Sequence, residues 1–327
     1  MKIEEFENRI ICGDAIEILK TIPDNSIDCI ITSPPYFNLR NYNVVGQIGL
    51  EKTWQDYIGK LISVFDEAKR ILKKEGTCFV NLGDSYGGSS SLCKTSRQGF
   101  NNDKIGNLKK EFQQKCLMMI PERFAIAMIG QNWVLRNKLV WIKKNAMPES
   151  VQDRWKKAHE YIFFFVKNKK YYFNLNAIRT PHKDISIKWA EYEQGRNVLG
   201  QNPSSIGEKY NRNKKNKDGT EKYYSMPARQ VKLNPLGAVP PDFLDINTNC
   251  KQDETMEHYA TYPLDLIYPL IKAGCPEYGI VLDFFSGSGT TCIAACNLNR
   301  KYIGIDLNPA YCAIAEKRIK ALGIKLF

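Results

Sequence analysis

The sequence predicts an α/β fold built on a doubly wound, mostly parallel sheet, and three observations lead there. Short apolar runs suited to buried strands, Ile27–Thr32, Ile280–Asp283 and Lys301–Asp306, punctuate the chain and alternate with segments of helical spacing. The loop after Asp283 carries Gly287 and Gly289 before a helix starting near Thr290, and Asp306 ends the next strand about 20 residues on, the distance expected of a carboxylate on ribose hydroxyls. Directly after Thr32 comes Ser33-Pro34-Pro35-Tyr36. Two prolines stop sheet pairing by removing backbone donors and fixing φ. The resulting corner holds the Ser33 hydroxyl, the Ser33 and Pro34 carbonyls and the Tyr36 ring at the carboxyl end of a strand, where open α/β sheets place their ligands.

In chain order, Asn8–Asp14 reads as a strand ending in a turn, and Ala15–Lys20 as an amphipathic helix. Asp14 either caps that helix or accepts a hydrogen bond from a ligand amino group. Beyond Tyr36, residues 37–42 are polar and aromatic without a period, as in a mobile loop near substrate. Between Trp54 and Lys74, Tyr57, Leu61, Val64, Phe65, Ala68, Ile71 and Leu72 recur at helical spacing, and Gly76 is the expected stop before the strand Thr77–Leu82. Asp84 at that strand end is a turn former or a pocket residue. Residues 87–110, rich in Gly, Ser, Asn and Lys, read as a flexible insertion or as a segment that orders on nucleic acid. A helix is predicted over Pro121–Gly130, and strands over Trp133–Ile142 and Tyr161–Val166, the last two forming an antiparallel edge. His159 is read as structural. Helices Pro263–Lys272 and Ala310–Leu322 close the prediction.

Composition narrows the function classes. With 327 residues and 43% hydrophobic content, the chain can bury one large domain with an elaborated region, or two domains. A formal net charge of +12 favours a polyanionic partner, although basic soluble proteins without one are common. Ten cysteines show no C-x-x-C pair and no zinc-ligand spacing, so a reduced, cytoplasmic protein is expected, without a metal. The start of the chain shows no signal peptide and no stretch is apolar enough to span a membrane. Between about Asn168 and Glu257 polar and turn-forming residues dominate, and Lys209, Arg212, Lys214, Lys215 and Lys217 cluster near Tyr210, Tyr223 and Tyr224. Such a cluster is a solvated loop or a surface that attracts phosphates and stacks on unpaired bases.

Taken together, Ser33-Pro34-Pro35-Tyr36 and Val281-Leu282-Asp283-Phe284-Phe285-Ser286-Gly287-Ser288-Gly289-Thr290-Thr291 resemble the catalytic motif and cofactor loop of the DNA amino-methyltransferases, in the order of their permuted β group. Gly13-Asp14-Ala15 and His258-Tyr259-Ala260-Thr261-Tyr262 resemble further cofactor-contacting elements of that family, and Ala158-His159-Glu160 resembles another of its elements, to which no chemistry is assigned. The resemblance implies a Rossmann-like, circularly permuted sheet of seven strands, with a catalytic half over 1–168, a target-recognition region over 169–257 and a cofactor half over 258–327. It implies S-adenosyl-L-methionine bound by Asp14, Ala15, Thr32, His258, Thr261, Pro263, Asp283, Phe284, Phe285, Gly287, Ser288, Gly289, Thr290, Thr291 and Asp306. It also implies catalysis by Ser33, Pro34, Pro35 and Tyr36 on double-stranded DNA held by Arg40 and the basic cluster.

An exocyclic amino nitrogen is a poor nucleophile because its lone pair is delocalised into the ring. Acceptors out of the ring plane, here Ser33 Oγ and the Pro34 carbonyl, favour a pyramidal nitrogen aligned with the methyl group. The base must leave the duplex to be reached, with Tyr36 as its stacking partner. Serine at the first motif position resembles the N4-cytosine enzymes, with adenine N6 as the alternative. A cognate restriction endonuclease acting separately is the expected partner. The competing readings are the same fold acting on RNA or protein, and a non-catalytic nucleic-acid-binding module.

Overall fold

The computed structural model describes residues 2–42, 44–87, 112–146, 148–190, 233–248 and 262–323. The insertion over 88–110, the basic cluster Lys209 to Lys217, and His258 and Thr261 lie outside the described residues. The chain divides into two compact units, Met1–Ala177 with Pro241–Phe327, and Ile178–Pro240.

The first unit is organised on eight strands: β1 (Arg9–Cys12), β2 (Ile27–Thr32), β3 (Leu72–Leu82), β4 (Val134–Ile142), β5 (His159–Val166), β6 (Phe243–Asp245), β7 (Ile280–Asp283) and β8 (Lys301–Asp306). They order as β1-β8-β7-β2-β3-β5-β4-β6. Pairing is parallel except that β5 runs against both of its neighbours. The sheet therefore has one strand more than the expected seven. The antiparallel pair does not form the edge, because three-residue β6 pairs beyond it with Val140–Ile142. β7 leads outward to β8, whereas β2 leads the other way to β3, so the winding reverses between β7 and β2. That reversal is the crevice where such sheets bind ligands.

Helices cover both faces, and the strands' two-residue alternation decides what each face buries. One face packs Ile30, Val80, Phe163, Leu282 and Ile303 under α1 (Ala15–Thr21), α2 (Trp54–Ile71) and α3 (Ile120–Gly130). The other packs Cys29, Ile31, Phe79, Ile162 and Val281 under α4 (Leu264–Gly274), α5 (Thr290–Asn297) and α6 (Pro309–Lys320).

Helix α2 stops at Ile71, five residues before the glycine expected to end it. Leu72 is already paired with Ile27, and the register shifts before Thr77 meets Cys29, so Gly76 lies in an irregular stretch of β3. A Cβ at Gly76 would lie 2.6 Å from the Leu72 side chain and 3.1 Å from the Asp28 carbonyl. Glycine is there for close approach inside the sheet. Asp84 accepts the amides of Ser85 at 2.8 Å, Met119 at 2.9 Å and Ile120 at 3.2 Å, so it joins the β3 turn to the start of α3. Residues 37–42 are tied back: Asn38 donates to the Gly49 carbonyl at 2.8 Å, and the Tyr42 ring meets Tyr311 edge-on. Residues 169–177 also pack with this unit, where Tyr171 and Phe173 flank Phe164.

In the second unit, Thr180 and Ala238 form an antiparallel bridge and Arg179 donates to the Gly237 carbonyl at 2.9 Å. Among the described residues no helix is long and apolar enough to cross a membrane.

Candidate active site

The parallel strands end along one edge, and β5, running in reverse, starts there. In register, that edge carries Cys12 beside Asp306, Asp283 beside Gly304, Leu82 beside Tyr161, and Trp141 beside Glu160. Cys29 and Ile30 of β2 pair with Val281 and Leu282 of β7, which brings the Pro-Pro corner next to the glycine loop. A hydrogen bond seals this junction, from Thr32 Oγ1 to Asp283 Oδ1 at 2.7 Å across 251 positions of sequence.

Asp283 is fully buried and accepts four hydrogen bonds. Oδ1 takes Thr32 Oγ1 and the Phe285 amide at 3.1 Å; Oδ2 takes Tyr262 OH at 2.8 Å and Thr291 Oγ1 at 2.7 Å. Burial pushes its carboxyl above the usual range, while Thr291, Thr32 and Tyr262 pull the other way. It thereby ties β2, β7, α5 and the approach to α4 into one piece.

The loop takes its shape from two aspartates. Asp306 Oδ2 accepts the Gly287 amide at 2.7 Å, and Oδ1 accepts Asn308 at 2.8 Å. Burial raises its carboxyl too. Gly287 has φ +52° and nothing within 4 Å of the position a Cβ would take. The loop is therefore open on that side. Gly289, φ +80°, is the N-cap of α5 and would press a Cβ to 2.8 Å from Ala315. The partly exposed Asp306 carboxylate has lone-pair capacity beyond its two amides. This spare acceptor capacity fits a ligand bearing neighbouring hydroxyls beside an open glycine turn.

The remaining sequence-predicted residues divide by placement. Asp14 Oδ1 accepts the Glu17 amide at 3.1 Å, so it caps α1, while Gly13 donates to the Asp306 carbonyl and keeps Asp14 at the same edge. Ala15 is buried at the start of α1. Phe284 is buried against Phe65 and Phe285. Ser288 and Thr290 are gathered by Arg318, whose Nη1 lies 2.8 Å from Ser288 Oγ. Pro263 is the N-cap of α4. Arg40 sits half-buried in the loop beyond Tyr36, its carbonyl accepting Gln47 Nε2 at 3.2 Å.

Around the Pro-Pro corner the structure adds residues the sequence reading missed. Pro34 is buried and Ser33 partly exposed, and the Pro35 carbonyl accepts Tyr57 OH at 2.8 Å. Tyr36 OH donates to Glu160 Oε2 at 2.8 Å. Asn81 Nδ2 lies 2.9 Å from Tyr36 OH, 3.0 Å from Glu160 Oε2 and 3.5 Å from Ser33 Oγ. Lys143 pairs with Glu160 Oε1. Burial pushes the Tyr36 hydroxyl well above its usual range, and the Glu160 charge adds to it. For Glu160, burial is the largest single influence and acts upward, but Lys143, Asn81 and Tyr36 together outweigh it, so the carboxyl stays below its ordinary value. Asn81 Oδ1 is buried without a partner among the described residues. An orphaned buried acceptor costs about 1–3 kcal/mol.

Comparison with known proteins agrees with this geometry. Residues 27–317 match the family of N6 and N4 methylases described as DNA methylase. The chain is 32% identical over 312 residues to the type II methyltransferase M.XycI of Xanthomonas campestris pv. cyanopsidis, covering 94% of this chain and 86% of that protein. Identity to M.SmaI of Serratia marcescens is 33% over 317 residues, covering 95% and 90%. Among solved structures, the PvuII DNA methyltransferase (cytosine-N4-specific) superposes with a TM-score of 0.61 at 18% identity, over 94% of this chain and 85% of that one. The M1.HpyAVI complex with SAM superposes at 0.51 and 19% identity, over 95% and 98%. The protein with its glycine loop and Pro-Pro corner on one sheet edge belongs to the N6/N4 DNA methylase family, whose methyl donor is S-adenosyl-L-methionine.

Proposed function

We propose that the chain transfers a methyl group from S-adenosyl-L-methionine to the exocyclic N4 of a cytosine flipped out of duplex DNA, as the modification arm of a type II system whose endonuclease acts separately. The observation that carries this reading is the Thr32–Asp283 hydrogen bond, which sets the glycine loop and Ser33-Pro34-Pro35-Tyr36 side by side at the winding reversal.

When bound, the cofactor supplies an electrophilic methyl group. Asp306 is placed to hold ribose hydroxyls, and Asp14 stands at the same edge for an adenine amino group. Gly287, Ser288, Gly289, Thr290 and Thr291, with Phe284 and Phe285, shape the turn above Asp283, and Thr32 locks it to the catalytic strand. Ala15 and Pro263 start the helices flanking that cradle, with His258 and Thr261 assigned to the methionine end. Ser33 Oγ and the Pro34 carbonyl accept the target's N–H groups and orient its lone pair, while Pro35 and its bond to Tyr57 keep the corner rigid. The Tyr36 ring stacks on the extruded base. Arg40, in the loop beyond Tyr36, and Lys209, Arg212, Lys214, Lys215 and Lys217, in a target-recognition region over 169–257, hold the DNA backbone.

Serine rather than aspartate at position 33 favours cytosine. The PvuII enzyme with the same fold is described as cytosine-N4-specific. The test is methylation of a duplex DNA library with labelled donor, followed by nucleoside mass spectrometry, with a matched RNA pool alongside. N4-methylcytosine is the expected product. N6-methyladenine overturns the choice of base, and DNA binding with no methylation at saturating cofactor overturns the enzyme reading.

A further inference from the structure

We propose that Glu160 is a positioning residue for the methyl transfer: paired with Lys143, it fixes the Tyr36 ring and the Asn81 amide and so sets the geometry of the Ser33–Tyr36 corner. The inference rests on the site assignment above but adds a residue outside both sequence motifs.

Ile31 and Phe79 face the same helical layer as Ile162. Two residues beyond Ile31 stands Ser33, two beyond Phe79 stands Asn81, and two before Ile162 on the reversed strand stands Glu160. The sheet's alternation therefore continues three buried apolar rows into three polar residues at one edge. Their side chains meet there: Asn81 Nδ2 reaches Ser33 Oγ and Glu160 Oε2, and Tyr36 OH reaches the same carboxylate oxygen.

Charge then fixes orientation. A carboxylate only accepts, so Tyr36 must donate to it, and Asn81 must present nitrogen to it. The Asn81 oxygen is consequently turned away from Glu160 and left buried without a partner among the described residues. That orientation commits the Asn81 nitrogen to Tyr36 OH, Glu160 and Ser33 at the expense of its own oxygen. Lys143 occupies the other carboxylate oxygen, so the charge is balanced without using Tyr36 or Asn81. Gly83 completes the seat, since a Cβ there would stand 2.6 Å from Tyr36 Cε2 and 3.2 Å from Glu160 Oε1.

A double-mutant cycle between Glu160→Gln and Tyr36→Phe decides the matter, read by single-turnover methyl transfer, cofactor Kd and the Tyr36 hydroxyl proton in NMR spectra. Glutamine keeps the shape but offers one acceptor oxygen to three donors. The expected loss in rate is about 100-fold, the scale of an ångström-sized misplacement of a reacting group. Cofactor Kd should stay within about threefold, because the cradle belongs to β7 and β8, and unchanged Kd also certifies folding. In the Tyr36→Phe background the further loss should shrink to less than about fivefold. An equal loss in both backgrounds, or an unchanged rate in Glu160→Gln, overturns the proposal. If the wild-type chain methylates nothing, the enzymatic reading fails on its own. The hydroxyl proton then judges the inference, which stands if the proton is slowly exchanging in wild type and lost in Glu160→Gln, and falls if the two spectra match.

Discussion

Replacing Gly83 by alanine should cripple catalysis while leaving the protein folded. The added Cβ would lie 2.6 Å from Tyr36 Cε2, against about 3.5–4.0 Å for an ordinary carbon contact. Relief requires the ring to retreat by about 1 Å. It cannot do so freely, because its hydroxyl is bound to Glu160 at 2.8 Å and to Asn81 at 2.9 Å. Either those bonds lengthen or the corner carrying Ser33 moves with the ring. Overpacking of this kind costs about 1–3 kcal/mol of stability. A shift of that size in a reacting geometry costs on the order of 100-fold in rate. Urea unfolding, cofactor titration and single-turnover methyl transfer on a DNA duplex separate the effects. A folded Gly83→Ala protein with a wild-type rate would refute both the packing argument and the placement of Tyr36 at the reacting centre.

Three other outcomes follow from the site. Asp283→Asn should be milder than Asp283→Ala in urea denaturation: asparagine can face its oxygen to Thr32 and the Phe285 amide and its nitrogen to the reversible hydroxyls of Tyr262 and Thr291, for about 1 kcal/mol. Alanine lets those two hydroxyls pair but orphans two donors, for about 2–6 kcal/mol, and equal losses would contradict the assignment of bonds. Glu160 is held below its ordinary value of 4.5, so its ionised form stabilises the fold above that pH, and the contribution is lost as pH falls through the lowered value. Glu160→Gln should therefore flatten the acid limb of stability below about pH 4.5, and an unchanged limb would contradict the ion pair with Lys143. Neutralising Lys209, Arg212, Lys214, Lys215 and Lys217 should reduce the slope of log K for DNA against log salt by about 0.9 for each phosphate contact removed. A slope equal to wild type would place the DNA elsewhere.

Much of this site was legible because its parts sit where local chemistry is unusual. Prolines at 34 and 35 after an apolar strand, and glycines at 287 and 289 after another, announce their corners without tertiary information. The same is true of α2, whose apolar spacing survives in its buried residues. What stayed hidden is relational. Asn81 looks like an ordinary interruption of an apolar strand, and Glu160, within a segment that resembles a family element, has no assigned chemistry until register puts both on one face beside Ser33. The signal existed as parity, apolar positions continuing into polar ones two residues apart, yet it carries meaning only once the strand order is known. The stop of α2 at Ile71 was misplaced for a similar reason, since pairing of Leu72 with Ile27 outweighs the helix-breaking tendency of Gly76. β6, at three residues, is too short for any period to mark it.

The order of motifs along the chain has no bearing on their meeting, because strand pairing depends on adjacency and not on connectivity. β2 borders β3, reached through one helix, and β7, reached only after some 250 residues. That second border is fastened at both ends, by the Ile280 amide on Asp28 Oδ2 at 2.9 Å and by Thr32 on Asp283 at 2.7 Å. Each fastening pairs a carboxylate oxygen, fully buried at Asp283 and partly buried at Asp28, with a donor some 250 residues away. Closing so long a loop costs entropy before any contact offsets it, so this pairing is expected to form after the local ones. The Ser33–Tyr36 corner and the glycine loop can therefore form separately, but Asp283 has its full set of donors only once β7 has docked on β2. Completion of the central sheet and assembly of the site are in this way a single step.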